Sequence, residues 1–397
     1  MSYPYRSKVL DSLGVRSWIN ASNWSTVIGG TWISDKVIEA MNEVAKTFVD
    51  MFELIAKVDE KIAKLCSVED AHITTGAGAA IELSVAGCMA GNDHGKWIRL
   101  PNTEGMKNEI VMPRGHYIAY TPQWVSSGAK VVEYGQAGYL RSNKHELESA
   151  INENTCCLSY TASYNTVPRG MIPIEEVIDA GKKHNIPIVV DAASMLPPVS
   201  NLHKFTDIDV DIVCFSGGKA IQAPNNTGMM LGNGKGAKII EAVRAHSFPH
   251  DGWGRGHKIS KEQIVGLVVA LEEFIKNGDA LYEKQMRTAR YFVEELSGIP
   301  SVDVIIIPND ETFHEHPVMP HVPRVRVQWD EKALGLSASD VDRYMAEEDP
   351  PVFLRKGIYY DYYTNKAWRL IDTFYLRDGE EKIVADRMRR ILTKKNR

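Results

Sequence analysis

Long apolar segments, a framework of spaced cysteines and an excess of positive charge are all missing from this 397-residue sequence. No run reaches the ~18 apolar residues of a membrane-spanning helix, and the first residues lack the apolar core of a secretory signal peptide. The five cysteines, two of them adjacent, suit reduced thiols. The net charge of −5 argues against nucleic acid as the main partner. We therefore expect a cytoplasmic protein with small-molecule ligands and no nucleic-acid or membrane partner.

The middle of the sequence alternates between strand and helix patterns. Several short runs are rich in valine and isoleucine and free of charge, which is typical of strands buried on both faces of a parallel sheet. Strands are predicted over 109–112, 130–134, 155–160, 187–190, 210–215 and 228–231, and helices over 34–49, 51–66, 81–90 and 175–184. This order predicts an α/β fold with a mainly parallel sheet covered by helices.

After about residue 256 the pattern becomes that of a smaller α+β domain. Helices are predicted over 260–276, 279–297 and 378–392, and strands over 302–307 and 322–328. We therefore predict an N-terminal segment over residues 1–35, a large domain over 36–256 and a small C-terminal domain over 257–397.

Small residues that could hold an anion follow or precede the predicted strands, where open α/β sheets bind their ligands. Thr75, Gly76 and Ala77 stand before a helix whose N-terminus could face a phosphate. A tight turn with close helix packing would give the same pattern. Ser216, at the end of one strand, could donate to a phosphate. Thr227 lies in a turn before the next strand and could reach the same phosphate or serve the turn alone.

A carboxylate and an amine follow two successive strands. Asp191 could pair with the protonated nitrogen of a pyridine ring, or merely cap a helix, and Ala193 is small enough to let a flat ring lie over it. Most lysines are solvated, but Lys219 follows a buried strand through two glycines and could form an imine with an aldehyde. Anion loop, carboxylate and lysine together match the three ends of one cofactor, pyridoxal 5'-phosphate (PLP).

The order of these motifs resembles the SelA-like branch of the fold-type I PLP-dependent enzymes. That branch includes L-seryl-tRNA selenium transferase and D-glucosaminate-6-phosphate ammonia-lyase. The segments that carry the resemblance are Ile19 to Ser22, Phe48 to Met51, Thr74 to Ala80, Val190 to Ser194, Ser216 to Lys219, Gly228, Lys261 to Leu267 and Leu376 to Glu381. They extend over nearly the whole chain.

The resemblance implies a fold-type I enzyme with PLP held as a Schiff base on Lys219, in a homodimer or larger homo-oligomer. It implies that Asp191 pairs with the ring nitrogen. The phosphate-binding residues it implies are Thr75, Gly76, Ala77, Ser216 and Thr227. His116 is implied to stand against the ring face, although a histidine there can also simply pack.

Substrate contacts are predicted from three further segments. Arg355 matches a carboxylate-binding arginine of related enzymes, with a surface salt bridge as the alternative. The glycine-rich segment 245–258 carries several histidines and tryptophans, and we expect a mobile loop with His257 and Lys258 as substrate contacts. The tyrosine-rich segment 359–363 could line the same cleft or form a packing cluster.

Three histidines near the proline-rich connector between two predicted strands could suggest a metal site. They are His314, His316 and His321. A solvated loop explains them better, and no metal is predicted.

The reaction that the resemblance implies is a β-elimination. Lys219 would take the α-proton of an amino acid or amino sugar acid, a β-substituent would leave, and ammonia and a 2-oxo acid would be released. Racemisation, aldol cleavage, transamination and β-replacement stay open. A non-enzymatic PLP-fold binding protein is the alternative of another class, and the intact Asp191 and Lys219 pair argues against it.

Overall fold

A computed structural model describes residues 3–136, 141–163, 171–307, 322–355 and 366–393. The chain divides into two compact units. The large unit contains residues 31–278, and the small unit joins residues up to Gly30 with described residues from Asp279 onward. Among the described helices, none has both the length and the apolar composition needed to cross a membrane.

Fourteen α-helices lie in the described residues. They are α1 (Lys8–Ser12), α2 (Asp35–Ala45), α3 (Met51–Cys66), α4 (Ala77–Ala90), α5 (His94–Trp97), α6 (Thr121–Val125), α7 (Lys144–Ala150), α8 (Ile174–His184), α9 (Asn201–Asp207), α10 (Lys235–Ala245), α11 (Lys261–Leu296), α12 (Glu331–Leu334), α13 (Ala338–Glu347) and α14 (Glu380–Thr393).

Twelve β-strands accompany them in the same described residues. They are β1 (Ile19–Ala21), β2 (Asp70–Thr74), β3 (Glu109–Pro113), β4 (Lys130–Tyr134), β5 (Thr155–Thr161), β6 (Ile188–Asp191), β7 (Ile212–Ser216), β8 (Gly228–Gly232), β9 (Val302–Ile307), β10 (Arg324–Asp330), β11 (Val352–Leu354) and β12 (Lys366–Asp372).

The large unit is built on a seven-stranded sheet with the order β2-β8-β7-β6-β5-β3-β4. Strands β7, β6, β5, β3 and β4 are parallel, and β8 runs antiparallel to both of its neighbours. Every residue of β5 is buried, as expected for a central strand with helices on both faces. The predicted, mainly parallel sheet is therefore present.

Helix α4 packs close to α10 because a glycine lies at their contact. A side-chain carbon on Gly87 would come within 2.7 Å of Ile239 and 2.9 Å of Val243. The first turn of α4 starts at the carboxyl end of β2, after only Thr75 and Gly76. This packing fixes where the helix N-terminus lies in the large unit.

The small unit contains an antiparallel sheet with the order β12-β10-β9 and a separate parallel pair, β1 with β11. Its apolar core includes Val325, Val327, Ile371 and Met388, all buried. Along β10, Val325 and Val327 alternate with the less buried Arg326 and Gln328, which explains why one face of that strand packs inward.

One secondary-structure prediction was wrong in the described chain. The helices predicted over 260–276 and 279–297 form one continuous helix, α11. The sequence Asn277-Gly278 is typical of a helix end, but the glycine serves packing instead. A side-chain carbon on Gly278 would lie 2.7 Å from a methyl group of Val199.

Candidate active site

The carboxyl ends of β5, β6 and β7 bring the predicted functional residues to one edge of the sheet. Thr161 at the end of β5 pairs with Asp191 at the end of β6, and Asp191 pairs with Cys214 of β7. Gly228, the first residue of β8, pairs with both Ser216 and Thr74. Residues that are far apart in the sequence are therefore neighbours in the large unit.

The segment Thr75 to Ala77 forms an open turn at the N-terminus of α4. Gly76 has φ +119°, and a side-chain carbon there would meet no atom within 4 Å. The Thr74 hydroxyl donates to the Gly76 carbonyl at 2.9 Å and holds the turn. A side-chain carbon on Gly228 would come within 2.6 Å of the Ala77 backbone nitrogen. A backbone turn at a helix N-terminus is suited to bind an anion.

Asp191 is 7% exposed at the carboxyl end of β6. Its Oδ1 accepts a hydrogen bond from the Ala193 backbone N–H at 3.0 Å. Burial raises the pKa of the Asp191 carboxyl, while the Ala193 N–H and the charge of Lys219 act in the opposite direction. The carboxylate and the amine therefore interact electrostatically.

Lys219 stands on a turn that the backbone holds at several points. The Gly217 N–H donates to the Thr227 carbonyl at 2.8 Å, and the Gln222 N–H donates to the Lys219 carbonyl at 2.9 Å. The lysine is half-buried. Its backbone position is thus fixed directly after β7, as a covalent anchor for a cofactor requires.

His116 lies at the same sheet edge, in a short 3₁₀ turn after β3. Its Nδ1 accepts a hydrogen bond from the Thr161 backbone N–H at 3.2 Å. The ring is buried and packs edge-on to Tyr160, with ring centres 4.6 Å apart. Because Nδ1 is an acceptor, the neutral ring carries its proton on Nε2.

The two residues predicted to contact the phosphate through a hydroxyl, Ser216 and Thr227, differ in burial and in hydrogen bonding. Ser216 is half-buried and pairs with Gly228, beside the anion turn. Thr227 is fully buried, and its hydroxyl donates to the Pro224 carbonyl at 2.7 Å. The one hydroxyl proton of Thr227 is therefore used inside its own turn, and Ser216 is the better placed donor.

The segment 245–258 is attached to the large unit through Glu82. The Glu82 carboxylate accepts from Trp253 Nε1 at 3.0 Å and pairs with His257 Nε2 at 3.1 Å. Burial raises the pKa of the Glu82 carboxyl, but hydrogen bonds from His257, Ser126 and Trp253 outweigh it and the pKa is lowered. Lys258 is exposed.

Sequence reasoning missed Glu82, although one signal was available. It is the only charged residue in α4, whose other residues are mostly small or apolar. A lone carboxylate in such a helix needs partners, and these are contributed by a loop about 170 residues later in the chain.

Arg355 directly follows β11 in the small unit. Its guanidinium lies 3.7 Å from the Asp372 carboxylate, which also accepts from Arg324 at 3.2 Å. Asp372 is fully buried. The role of Arg355 as a substrate contact stays a prediction.

Two other predictions concern residues outside the described ranges. The tyrosine-rich segment 359–363 and the histidines at 314, 316 and 321 lie outside the described residues. Within the described part of the chain, no group of three or more histidine, cysteine, aspartate or glutamate residues is arranged to hold a metal ion.

Comparison with known proteins adds relatives that match over nearly the full chain. The aminotransferase class-V family matches residues 34–243. D-glucosaminate-6-phosphate ammonia lyase of Salmonella typhimurium is 29% identical, over 96% of this chain and 97% of that protein. 5'-C-glycyluridine monooxygenase-decarboxylase of a Streptomyces species is 30% identical, over 94% and 89%.

A solved structure is also similar to this chain over nearly its full length. The structure of a D-glucosaminate-6-phosphate ammonia-lyase superposes with a TM-score of 0.80 at 28% identity, covering 97% of this chain and 98% of that one. The resemblance inferred from the motifs and the predicted fold class are confirmed.

Proposed function

Because the chain belongs to the aminotransferase class-V family, we propose that it is a PLP-dependent ammonia-lyase. Its substrate is an amino acid or amino sugar acid with a leaving group on the β-carbon, and its products are ammonia and a 2-oxo acid. The observation that carries the proposal is the placement of the buried Asp191 carboxylate at the end of β6, with Lys219 on the turn that follows the neighbouring strand β7 and the open turn at Gly76 at the same sheet edge. The relatives named as ammonia-lyases support the reaction type.

The residues at the sheet edge fit three groups of PLP, which are its phosphate, its ring nitrogen and its aldehyde. The open backbone of Gly76 and Ala77 and the Ser216 hydroxyl would hold the phosphate. A cationic ring nitrogen would favour the ionised form of the Asp191 carboxyl, whose pKa burial raises. Lys219 would supply the amine for covalent attachment. When bound, PLP captures amine substrates and accepts the electrons released when the α-proton leaves.

Each residue then has a distinct task in the proposed reaction. Lys219 accepts the α-proton of the substrate, and its fixed turn sets where that base can act. Asp191 contributes its negative charge from a buried position that excludes water. His116, held by Thr161, supports one side of the site.

The reaction type is tested by adding D-glucosaminate 6-phosphate, its dephosphorylated form and a set of β-hydroxy amino acids to the PLP-loaded protein. We expect equal amounts of ammonia and 2-oxo acid from at least one of them. Exchange of the α-proton for deuterium without ammonia would instead indicate a racemase. A requirement for a keto-acid acceptor would indicate an aminotransferase.

A second candidate function follows from the relative named as a monooxygenase-decarboxylase, which is 30% identical. Such an activity would consume oxygen and release carbon dioxide. Running the same substrate set under nitrogen and under air separates the two candidates. Ammonia release that is equal in both gases supports the lyase.

The close contact of Gly228 with the anion turn leads to a prediction. In Gly228→Ala, the new methyl group would overlap the backbone of Gly76 and Ala77, so the turn must move. We expect the affinity for PLP to fall by about 10-fold or more, since small displacements of positioned groups are costly. Titration with PLP measures it, and Gly256→Ala is the control because its methyl group would meet nothing.

We also propose a homo-oligomer, because large apolar side chains are exposed before and within the start of α3. Phe48 is fully exposed, and Val49 and Phe52 are also exposed. Exposed apolar patches mark interaction sites. In Phe48→Glu/Phe52→Glu we expect the mass measured by light scattering to fall toward that of one 44.4 kDa chain. Leu13→Glu changes an exposed leucine of the small unit and is the control.

The proposed partners are otherwise small molecules. The absence of nucleic-acid and membrane partners stays a prediction from the sequence, as does a cytoplasmic location. All five cysteines are unpaired thiols, as expected in a reducing compartment.

A further inference from the structure

The ends of two parallel strands bring Asn23 and Trp24 toward Arg355 in the small unit. In the β1–β11 pair, Ala21 is the partner of Leu354, so Ser22 and Arg355 follow at the same end. Asn20 folds the chain back at this point. Its Nδ2 donates to the Asn23 carbonyl at 2.8 Å, and its Oδ1 accepts from the Ser22 N–H at 2.9 Å.

A second series of contacts links Trp24 to Arg355. The Trp24 ring packs edge-on to Phe374, with ring centres 5.5 Å apart. The Phe374 N–H donates to Asp372 Oδ1 at 3.0 Å, and Asp372 Oδ2 lies 3.7 Å from the Arg355 guanidinium. Strand register and side-chain contacts therefore place these residues in the same region.

Two buried N–H groups in this region have no acceptor among the described residues. They are Nδ2 of Asn23, which is 2% exposed, and Nε1 of Trp24, which is 6% exposed. Asn23 Oδ1 accepts from the Trp24 backbone N–H at 2.6 Å, which fixes Nδ2 as the other end of the amide. A buried donor without an acceptor is unfavourable, so a ligand with oxygen acceptors is expected here.

Asn23 also holds an unusual backbone conformation. Its φ is +81°, in the left-handed region where asparagine is among the few tolerated side chains. Residues held in this region concentrate at binding sites. A carboxylate would suit the set of donors formed by the Arg355 guanidinium, the Asn23 amide N–H and the Trp24 indole N–H.

We propose that Asn23 Nδ2 and Trp24 Nε1, together with Arg355, bind the carboxylate group of the substrate acid. This inference rests on the proposed function, since every candidate substrate of that reaction is an acid. Asp372 is the positioning residue, because its buried carboxylate is close to the Arg355 guanidinium and bonded to the Phe374 backbone on which Trp24 packs.

Two substitutions each remove one of the proposed donor groups. Asn23→Asp keeps the oxygen that accepts from Trp24 and tolerates the positive φ, but it puts a negative charge where Nδ2 stood. Trp24→Phe keeps an aromatic ring against Phe374 and removes the indole N–H together with part of the bicyclic ring. Trp18→Phe is the matched control, since Trp18 packs edge-on to Phe353 in the same unit.

Two ligands that differ only in the carboxylate test the site directly. Calorimetry compares 6-phosphogluconate with glucitol 6-phosphate on the PLP-loaded protein. We expect the unmodified protein and Trp18→Phe to prefer the carboxylate. Trp24→Phe is expected to lose about 10-fold of that preference and Asn23→Asp about 100-fold or more, as for hydrogen bonds to a charged group. Binding of glucitol 6-phosphate, which lacks the carboxylate, should not change.

Kinetics separate this site from a merely structural role. In both variants we expect KM for the acid to rise more than kcat falls, whereas a smaller fraction of folded protein would lower kcat without raising KM. The same preference in all four proteins, or no preference in the unmodified one, would overturn the proposal. If the preference is lost in the variants but the unmodified protein releases no ammonia, the carboxylate site stands and the proposed lyase reaction fails.

Discussion

Lys219→Ala is expected to lower ammonia release by about 10²–10⁴-fold, the range associated with loss of a general base. The variant should still bind PLP through the anion turn, but without a covalent bond to the protein. The long-wavelength absorbance of the lysine-bound cofactor should therefore disappear. Absorbance spectra and single-turnover rates measure the two effects separately.

Lys238→Ala is the matched control for this variant. Lys238 is an exposed lysine on α10, so both its spectrum and its turnover should match the unmodified protein. Retention of the spectrum and of full turnover in Lys219→Ala would show that another amine anchors the cofactor, and would contradict the assignment.

Asp191→Asn is expected to lower kcat by about 10²–10³-fold, the size of effect seen when one electrostatic group is removed from a catalytic site. The asparagine oxygen can still accept from the Ala193 N–H, so the local fold should persist. What is lost is the negative charge that we propose keeps the ring nitrogen protonated. Covalent attachment of PLP should remain, and turnover should fall more than cofactor binding.

Asp211→Asn provides a closely matched control. Asp211 is a half-buried carboxyl whose pKa is also raised by burial, and its Oδ2 accepts from the Ile188 N–H at 2.9 Å. It precedes β7, whereas Asp191 ends β6, so the two carboxyls lie at opposite ends of neighbouring strands. If both variants lose activity equally, the effect of Asp191→Asn reflects stability rather than catalysis.

Much of the large sheet could be predicted because its strands are buried on both faces and therefore apolar. Strand β2 was missed because it contains Asp70 and His72, which are not typical of a buried strand. Tertiary contacts explain them. His72 Nδ1 is 2.7 Å from Asp59, and Arg244 bonds to both Asp59 and Asp70. Such partners cannot be identified from the local pattern.

The positions of Asp191 and Lys219 beside strand ends were predicted from the sequence, because Asp191 ends β6 and Lys219 follows β7, while their functional roles stay predictions. Residues whose importance depends on contacts with distant parts of the chain were not predicted. Glu82 depends on Trp253 and His257. Asn23 and Trp24 are noticeable only because their N–H groups are buried without acceptors in the described structure, which no sequence pattern reveals.

The most direct test of the central claim is the chemical identity of the residue that holds PLP. The purified protein is loaded with PLP, reduced with borohydride, digested and analysed by mass spectrometry. We predict a single stoichiometric phosphopyridoxyl group on Lys219. Modification of a different lysine, or none at all, would contradict the account of this site and of the reaction built on it.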